Sequence, residues 1–322
     1  MSNTKKTLWR SLMILGFVVI AVSWSATTAN AEILCDFENG SADYDNTHGT
    51  QTTGKFRDVY DFYAAPSPTP SSFIDISANE TANDYLVMGP IYTSSYNPTT
   101  MYDLTPSSTA EYTMFKTPVG ATTTMTVDVK FDLGAGTNVA GLVIFDPLAS
   151  TATPRGLAFQ FLDYAPGSDD KVRIMQLGTE KSWGTPNTLM AATAVGQLNA
   201  PIVRLTAEFN TLSDSTGTVK YRVDQISDLG GSVTGNLWNG DPISLTFGAG
   251  TGQLNMYPVS DGFEVGLNRN VSNNGGANKP WPAGEEQIYF DNLTLTVPEP
   301  GTLALLACGL VGLLAYAWRK RK

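Results

Sequence analysis

The chain has 322 residues, of which 42% are hydrophobic and 16% charged, as in folded globular proteins and unlike disordered or collagen-like chains. Between residues 32 and 297, 13 basic and 29 acidic side chains give a net charge of −16. Such an acidic body repels phosphate backbones, which excludes nucleic acid as a partner, and it favours cations such as calcium. One histidine, His48, and two cysteines, Cys35 and Cys308, exclude most zinc sites and any disulfide framework.

Residues 1–31 contain the three parts of a secretory signal peptide. Lys5, Lys6 and Arg10 supply the basic region, an apolar run follows at residues 12–22, and Ala29-Asn30-Ala31 forms an A-x-A cleavage site. We therefore expect signal peptidase to cut after Ala31, with Ala29 and Ala31 as the small residues that it recognises. The alternative is a signal anchor that stays on the protein.

The body, residues 32–297, alternates apolar and polar residues with a period of two and shows no strong helical period. This pattern predicts strands at 33–40, 122–132, 139–145, 157–162, 203–210, 218–225, 263–268 and 287–295. Turn-forming residues at 132–136, 165–170 and 213–217 separate successive strands. The fold class is therefore predicted to be all-β, with two stacked antiparallel sheets in a single domain.

The order of strands from 122–132 to 218–225 resembles concanavalin A-like (laminin G-type) jelly rolls, which implies a jelly-roll sandwich. The first and last strands, 33–40 and 287–295, are similar to the terminal strands of jelly-roll carbohydrate-binding modules. In that family these strands lie side by side and often share a structural calcium ion. The resemblance assigns Glu38 and Asp291 to such a Ca²⁺ site, the alternative being that both carboxylates are solvated at strand ends. The apolar phase changes between Phe290 and Leu293, which predicts a bulge at Asp291-Asn292.

Three tryptophans of the body, Trp183, Trp238 and Trp281, stand among Gly, Asn and Pro and are predicted to lie in loops. Aromatic rings in loops can stack on the C–H face of a sugar. We therefore treat all three as candidate carbohydrate-binding residues. The alternative is that they plug the open end of the sandwich.

Recognisable catalytic residues are missing from the sequence. Jelly-roll glycosidases of the retaining type need carboxylates close together on one strand face, and Glu285-Glu286, being adjacent, would face opposite ways. A lyase built on Tyr221, Arg222 and Asp224 is disfavoured, because alternation turns Tyr221 away from the other two. We therefore predict no catalytic site.

The C-terminal residues 298–322 form a three-part segment. Pro298-Glu299-Pro300 is followed by the uncharged run 302–318 and by four basic residues, 319–322. The run is just long enough for one transmembrane helix, and its basic end is predicted to remain in the cytoplasm. This order resembles the PEP-CTERM sorting signal of Gram-negative bacteria, which implies processing by an exosortase near the motif.

These observations predict an exported protein that is held briefly in the inner membrane and then delivered to the cell envelope or extracellular matrix. We expect a non-catalytic body that associates with exopolysaccharide. Two alternatives remain open, namely an extracellular glycan-active enzyme, either a glycoside hydrolase or a polysaccharide lyase, and a purely structural envelope protein.

Overall fold

The computed structural model describes residues 30–35, 44–45, 55–59, 74–77, 85–88, 99–103, 119–131, 137–145, 156–164, 166–177, 188–247, 263–272 and 288–297. All regular structure within these residues is β. The strands are β1 Asn30–Cys35, β2 Tyr44–Asp45, β3 Lys55–Val59, β4 Ile74–Ser77, β5 Tyr85–Met88, β6 Thr99–Asp103, β7 Thr122–Phe131, β8 Thr137–Phe145, β9 Gly156–Asp163, β10 Asp170–Leu177, β11 Thr188–Gly196, β12 Ile202–Ser213, β13 Thr216–Ile226, β14 Val233–Asn239, β15 Ile243–Thr246, β16 Glu264–Ser272 and β17 Ile288–Val297.

The strands form two sheets. Sheet A has the order β14-β13-β12-β7-β17-β5-β4, with β15 paired to β13 and β1 paired to β17. Sheet B has the order β11-β10-β9-β8-β16-β6-β3-β2. The central pairs of both sheets are antiparallel, whereas the two-residue pair of β2 with β3 is parallel and departs from the predicted arrangement. The pairing of β1 with β17 agrees with the prediction that the first and last strands are neighbours.

The two sheets pack face to face through aromatic side chains. Phe159 of sheet B contacts Phe209 and Tyr221 of sheet A, with ring centroids 5.4 and 5.6 Å apart. Phe131 and Phe161 meet in the same way at 5.5 Å. The apolar residues of the alternating strands point into this layer, and burial of their surface is the main favourable term in folding. The described residues therefore form a two-sheet sandwich with one core.

The strands predicted from alternation agree with the observed strands to within a few residues, apart from the first, which ends at Cys35 rather than at residue 40. Strands β10, β11, β14 and β15 were not predicted, and neither were the short strands β2 to β6. The short strand β2 lies just before His48, in a stretch whose sequence Asp43-Tyr44-Asp45-Asn46-Thr47-His48-Gly49 is typical of a loop. Trp238 was placed in a loop, but it belongs to β14, where its backbone pairs with that of Val223.

The chain separates into two compact units, Glu32–Leu295 and the two terminal stretches Met1–Ala31 and Thr296–Lys322. Among the described residues, no helix has the length and apolar character needed to cross a membrane. The predicted signal peptide before residue 30 and the predicted C-terminal helix lie outside the described residues.

Candidate functional site

The outward face of sheet A, turned away from the core, has two parallel rows of polar side chains. Strand pairing places Asp224, Arg204 and Asp128 side by side across β13, β12 and β7. The next row along the strands contains Arg222 of β13, Thr206 of β12 and Thr126 of β7. Alternation explains this, because the apolar neighbours of these residues all point into the core. We call these six residues the polar face.

The centre of the polar face is a two-point ion pair. The Arg204 guanidinium contacts both carboxylate oxygens of Asp128, with Nε–Oδ1 2.6 Å and Nη2–Oδ2 2.8 Å. Asp128 is fully buried, and its hydrogen bond to Arg204 raises the pKa of that guanidinium. The carboxylate also accepts a 2.9 Å bond from the amide of Gly230, which holds the β13–β14 loop over the sheet.

A second ion pair stands beside the first. Arg222 Nε lies 2.8 Å from Asp224 Oδ2, and the arginine side chain is 40% exposed while that of the aspartate is 7% exposed. Asn236 of β14 donates to the other oxygen of Asp224 at 2.8 Å. The Asp224 carboxylate therefore has a hydrogen bond at one oxygen and an ion-pair contact at the other, where the buried Arg222 Nε lacks hydrogen-bond geometry; the arginine side chain is the more exposed of the two.

Thr206 lies between Arg222 and Thr126 in its row and is 1% exposed. Its hydroxyl is buried and finds no hydrogen-bond partner among the described residues. The neighbouring Thr126 hydroxyl instead bonds to that of Thr294 on β17 at 2.5 Å. A buried hydroxyl without a partner costs folding free energy, so Thr206 is an unfavourable point in this row.

The bulge predicted in the last strand is confirmed. Asn292 has a φ of 50°, in the left-handed region, and the core-facing phase changes from Phe290 to Leu293 across it. Asp291 is 1% exposed and accepts bonds from both the amide and the side chain of Asn292, each 2.7 Å long. Its predicted partner at a calcium site, Glu38, lies outside the described residues, and no group of three or more potential metal-ligating side chains occurs within them.

Trp238 lies at the edge of sheet A on the side that faces the core, because its backbone pairs with that of Val223, a core residue. The indole is partly buried, and its Nε1 has no hydrogen-bond partner within the described part of the chain. It packs against Gly240, where an added Cβ would lie 2.8 Å from Nε1. The other candidate tryptophans, Trp183 and Trp281, lie outside the described residues, as do Pro298, Glu299, Pro300 and Ala29. Ala31 lies in β1.

Sequence reasoning missed a buried carboxylate at the opposite sheet. Asp170, assigned to a turn, is fully buried at the start of β10, where its two oxygens accept the amides of Tyr164 and Leu198 at 2.9 Å each. Burial raises the pKa of this carboxyl. It joins the β9–β10 turn to the segment between β11 and β12. The surrounding Pro, Gly and Ser residues predict a turn, and turns are usually exposed, so the sequence does not indicate that this carboxylate is buried.

The set weighed as a lyase site is separated as alternation predicted. Tyr221 is 1% exposed in the core, where burial raises the pKa of its phenol well above the ordinary value. Arg222 and Asp224 lie on the opposite face of β13. The ion pair of Arg204 with Asp128 was not predicted, since the two residues are 76 positions apart in sequence.

Residues 296–322 match the PEP-CTERM protein-sorting motif. The motif implies export, a membrane-anchored sorting signal at the C-terminus, exosortase processing and a final location in the cell envelope or outside the cell. No curated protein is significantly similar to the chain in sequence.

Several solved structures are similar in fold at low identity. The PL-14 alginate lyase from Aplysia kurodai is 12% identical, with 71% of this chain and 88% of that chain covered and a TM-score of 0.39. The potassium-bound Emp46p carbohydrate recognition domain is 10% identical, with 74% and 95% covered and a TM-score of 0.41. An alginate lyase from Pseudomonas aeruginosa is 9% identical, with 74% and 97% covered and a TM-score of 0.40. TM-scores this low assign neither a ligand nor a reaction to this chain.

Proposed function

We propose that this protein is a non-catalytic component of the cell envelope or extracellular matrix whose jelly-roll body associates with exopolysaccharide. The observation that carries the proposal is the sorting motif at residues 296–322, which implies delivery outside the cytoplasm. The face-to-face packing of the two sheets supports the jelly-roll description.

In this proposal the protein is processed at both ends. Signal peptidase cuts after Ala31, and an exosortase then acts near Pro298-Glu299-Pro300 and removes the apolar tail. Extended backbone around the two prolines suits a protease cleft at the membrane surface. The mature protein is thus expected to lack residues 1–31 and 302–322.

Intact mass of the protein isolated from the producing cells tests this proposal. Wild-type cells should yield the mature mass, and cells without the exosortase should yield a product that retains the tail. A matched pair of variants, Glu299→Gln in the motif and Glu286→Gln before it, removes the same charge at two positions. Only the first is expected to impair processing. A wild-type protein that keeps residues 302–322 would refute the proposal.

Association with polysaccharide has its own test. Full-length protein in detergent is mixed with exopolysaccharide from the producing cells, with calcium and with EDTA, and the supernatant is assayed for released sugar. Retention without released sugar is expected. Released sugar would favour a glycan-active enzyme, and neither retention nor release would favour a purely structural protein.

We further propose that Glu38 and Asp291 share a structural Ca²⁺ ion where the first and last strands meet. The pairing of β1 with β17 and the burial of Asp291 beside the bulge support this proposal. Carboxylate and carbonyl oxygens are the ligands that calcium prefers.

A further inference from the structure

Hydrogen-bond donors outnumber acceptors on the polar face of sheet A. The carboxylates of Asp128 and Asp224 are already engaged, by Arg204 and Gly230 in the first case and by Arg222 and Asn236 in the second. Arg204 donates through Nε and Nη2 and Arg222 pairs through Nε, so these bonds leave Nη1 of Arg204 and both terminal nitrogens of Arg222 unused. The buried Thr206 hydroxyl, beside Arg222, has no partner there either. The face therefore presents guanidinium N–H donors, and a hydroxyl without a hydrogen-bond partner, to a ligand that has acceptor groups.

The charge of this face differs from that of the rest of the body. Outward positions of β7, β12 and β13 have four basic residues, Lys130, Arg204, Lys220 and Arg222, against three acidic ones, Asp128, Glu208 and Asp224. The body as a whole has 13 basic and 29 acidic residues. Charges further apart than about 8 Å are largely screened at physiological ionic strength, so a ligand at this face meets mainly these residues and the nearby Asp228 of the β13–β14 loop, and not the net charge of the body.

We propose that the polar face binds an acidic sugar residue, with the Arg222 guanidinium as the main contact. A planar guanidinium pairs with the two oxygens of a carboxylate or sulfate group through parallel N–H donors. Thr206 and Nη1 of Arg204 supply further donors, and the side-chain oxygen of Asn236 accepts from a sugar hydroxyl. The inference rests on the proposed association with exopolysaccharide and names the chemical class of that ligand.

The test measures binding of the full-length protein in detergent to three immobilised polymers at one salt concentration. Polygalacturonate has carboxylates, dextran sulfate has sulfate esters, and dextran is neutral. We expect binding to at least one acidic polymer and none to dextran. The variant Arg222→Gln should weaken that binding tenfold or more, and Arg222→Lys, which keeps the charge but loses the fork, should give an intermediate loss.

Lys171→Gln is the matched control, because it removes one positive charge from sheet B, where Lys171 lies over the Tyr164 ring. Its binding should equal that of the wild type, and the Tm of each variant shows that the protein is folded. Equal losses in Arg222→Gln and Lys171→Gln would show a general charge effect and overturn the proposal. Retention on the cells' own exopolysaccharide or on dextran, unaffected by Arg222→Gln, would overturn this inference and leave the proposed function standing.

Discussion

Single residues on the two sheets differ in how tightly the packing constrains them, and Gly240 is one that has little room for a side chain. Its amide donates to the carbonyl oxygen of Tyr221 at 3.1 Å, and a Cβ placed on it would meet the Trp238 indole at 2.8 Å and that same oxygen at 3.4 Å. The oxygen belongs to the backbone of β13 and the indole is partly buried, so a methyl group at residue 240 requires one of them to shift. The absence of a side chain at this position is therefore a requirement of packing.

Gly240→Ala is expected to lower the free energy of unfolding by about 1–3 kcal/mol, the usual cost of overpacking. The control is Gly235→Ala on the neighbouring strand β14, where the nearest atom to an added Cβ is 4.0 Å away. That change should leave stability nearly unaltered. Urea unfolding of both variants checks the prediction, and equal losses would contradict it.

Asp170 makes stability depend on pH in a defined direction. Its pKa is raised above the ordinary value of 3.8, mainly by burial, so the folded state binds the proton more tightly than the unfolded state does. Stability is then lost as pH rises from about 3.8 through the raised pKa. Asp170→Asn removes this dependence and also loses one of the two backbone hydrogen bonds.

Urea unfolding of the wild type and Asp170→Asn between pH 3 and 7 tests this prediction. The stability advantage of the wild type over the variant should shrink as pH rises and level off above the raised pKa. Other titrating groups are common to both proteins and cancel in the difference. An advantage that grew with pH would mean that the pKa is lowered, contrary to the prediction.

At the scale of elements, the bulge of β17 sets the register of a whole strand. Because of it, Ile288 and Phe290 before it and Leu293 and Leu295 after it all reach the same core. Without the extra residue, one half of the strand would turn its apolar side chains to the other face of the sheet. Asn292 makes this possible by accepting a left-handed backbone, with its side chain bonded to Asp291.

Asn292→Gly and Asn292→Val separate backbone conformation from side-chain bonding. Both variants lose the side-chain bond to Asp291 and keep the one from the backbone amide, but only valine is strained at a φ of 50°. The valine variant should therefore be less stable than the glycine variant by roughly 1–2 kcal/mol. Thermal unfolding measures the gap, and two equal stabilities would show that the backbone conformation is not limiting.

The sequence predicts those elements whose two faces differ in polarity. Strands β7, β12 and β13 were found from alternation because one face is dry. Strand β11, with the sequence TLMAATAVG, has no such contrast at its edge position and was missed. The polar face was also missed as a unit, because the Gly230 amide and the Asp128 carboxylate that it contacts are 102 residues apart. Pairing between distant strands is a property of the tertiary fold, which local patterns do not contain.

At the scale of the whole molecule, the proposed calcium ion would tie the first strand of the body to the last. An ion that binds only the folded state at about 100 times its dissociation constant adds roughly 2.7 kcal/mol of stability. EDTA should therefore lower the Tm of the wild type by several degrees, and Asp291→Asn should be far less sensitive to it. A wild-type Tm that is the same with and without the chelator would argue against the site.

The position of β17 in sheet A also has a consequence for the order of events during export. This strand is the last of those in the described residues, yet it lies inside the sheet, between β7 and β5. The strands on its two sides cannot be joined through it until residue 297 has emerged from the translocation machinery. We therefore expect the part of sheet A that contains β7 and the part that contains β5 to remain unconnected until β17 is available. We therefore expect sheet A to be completed at about the time that the sorting motif at residues 296–322 leaves the translocation machinery.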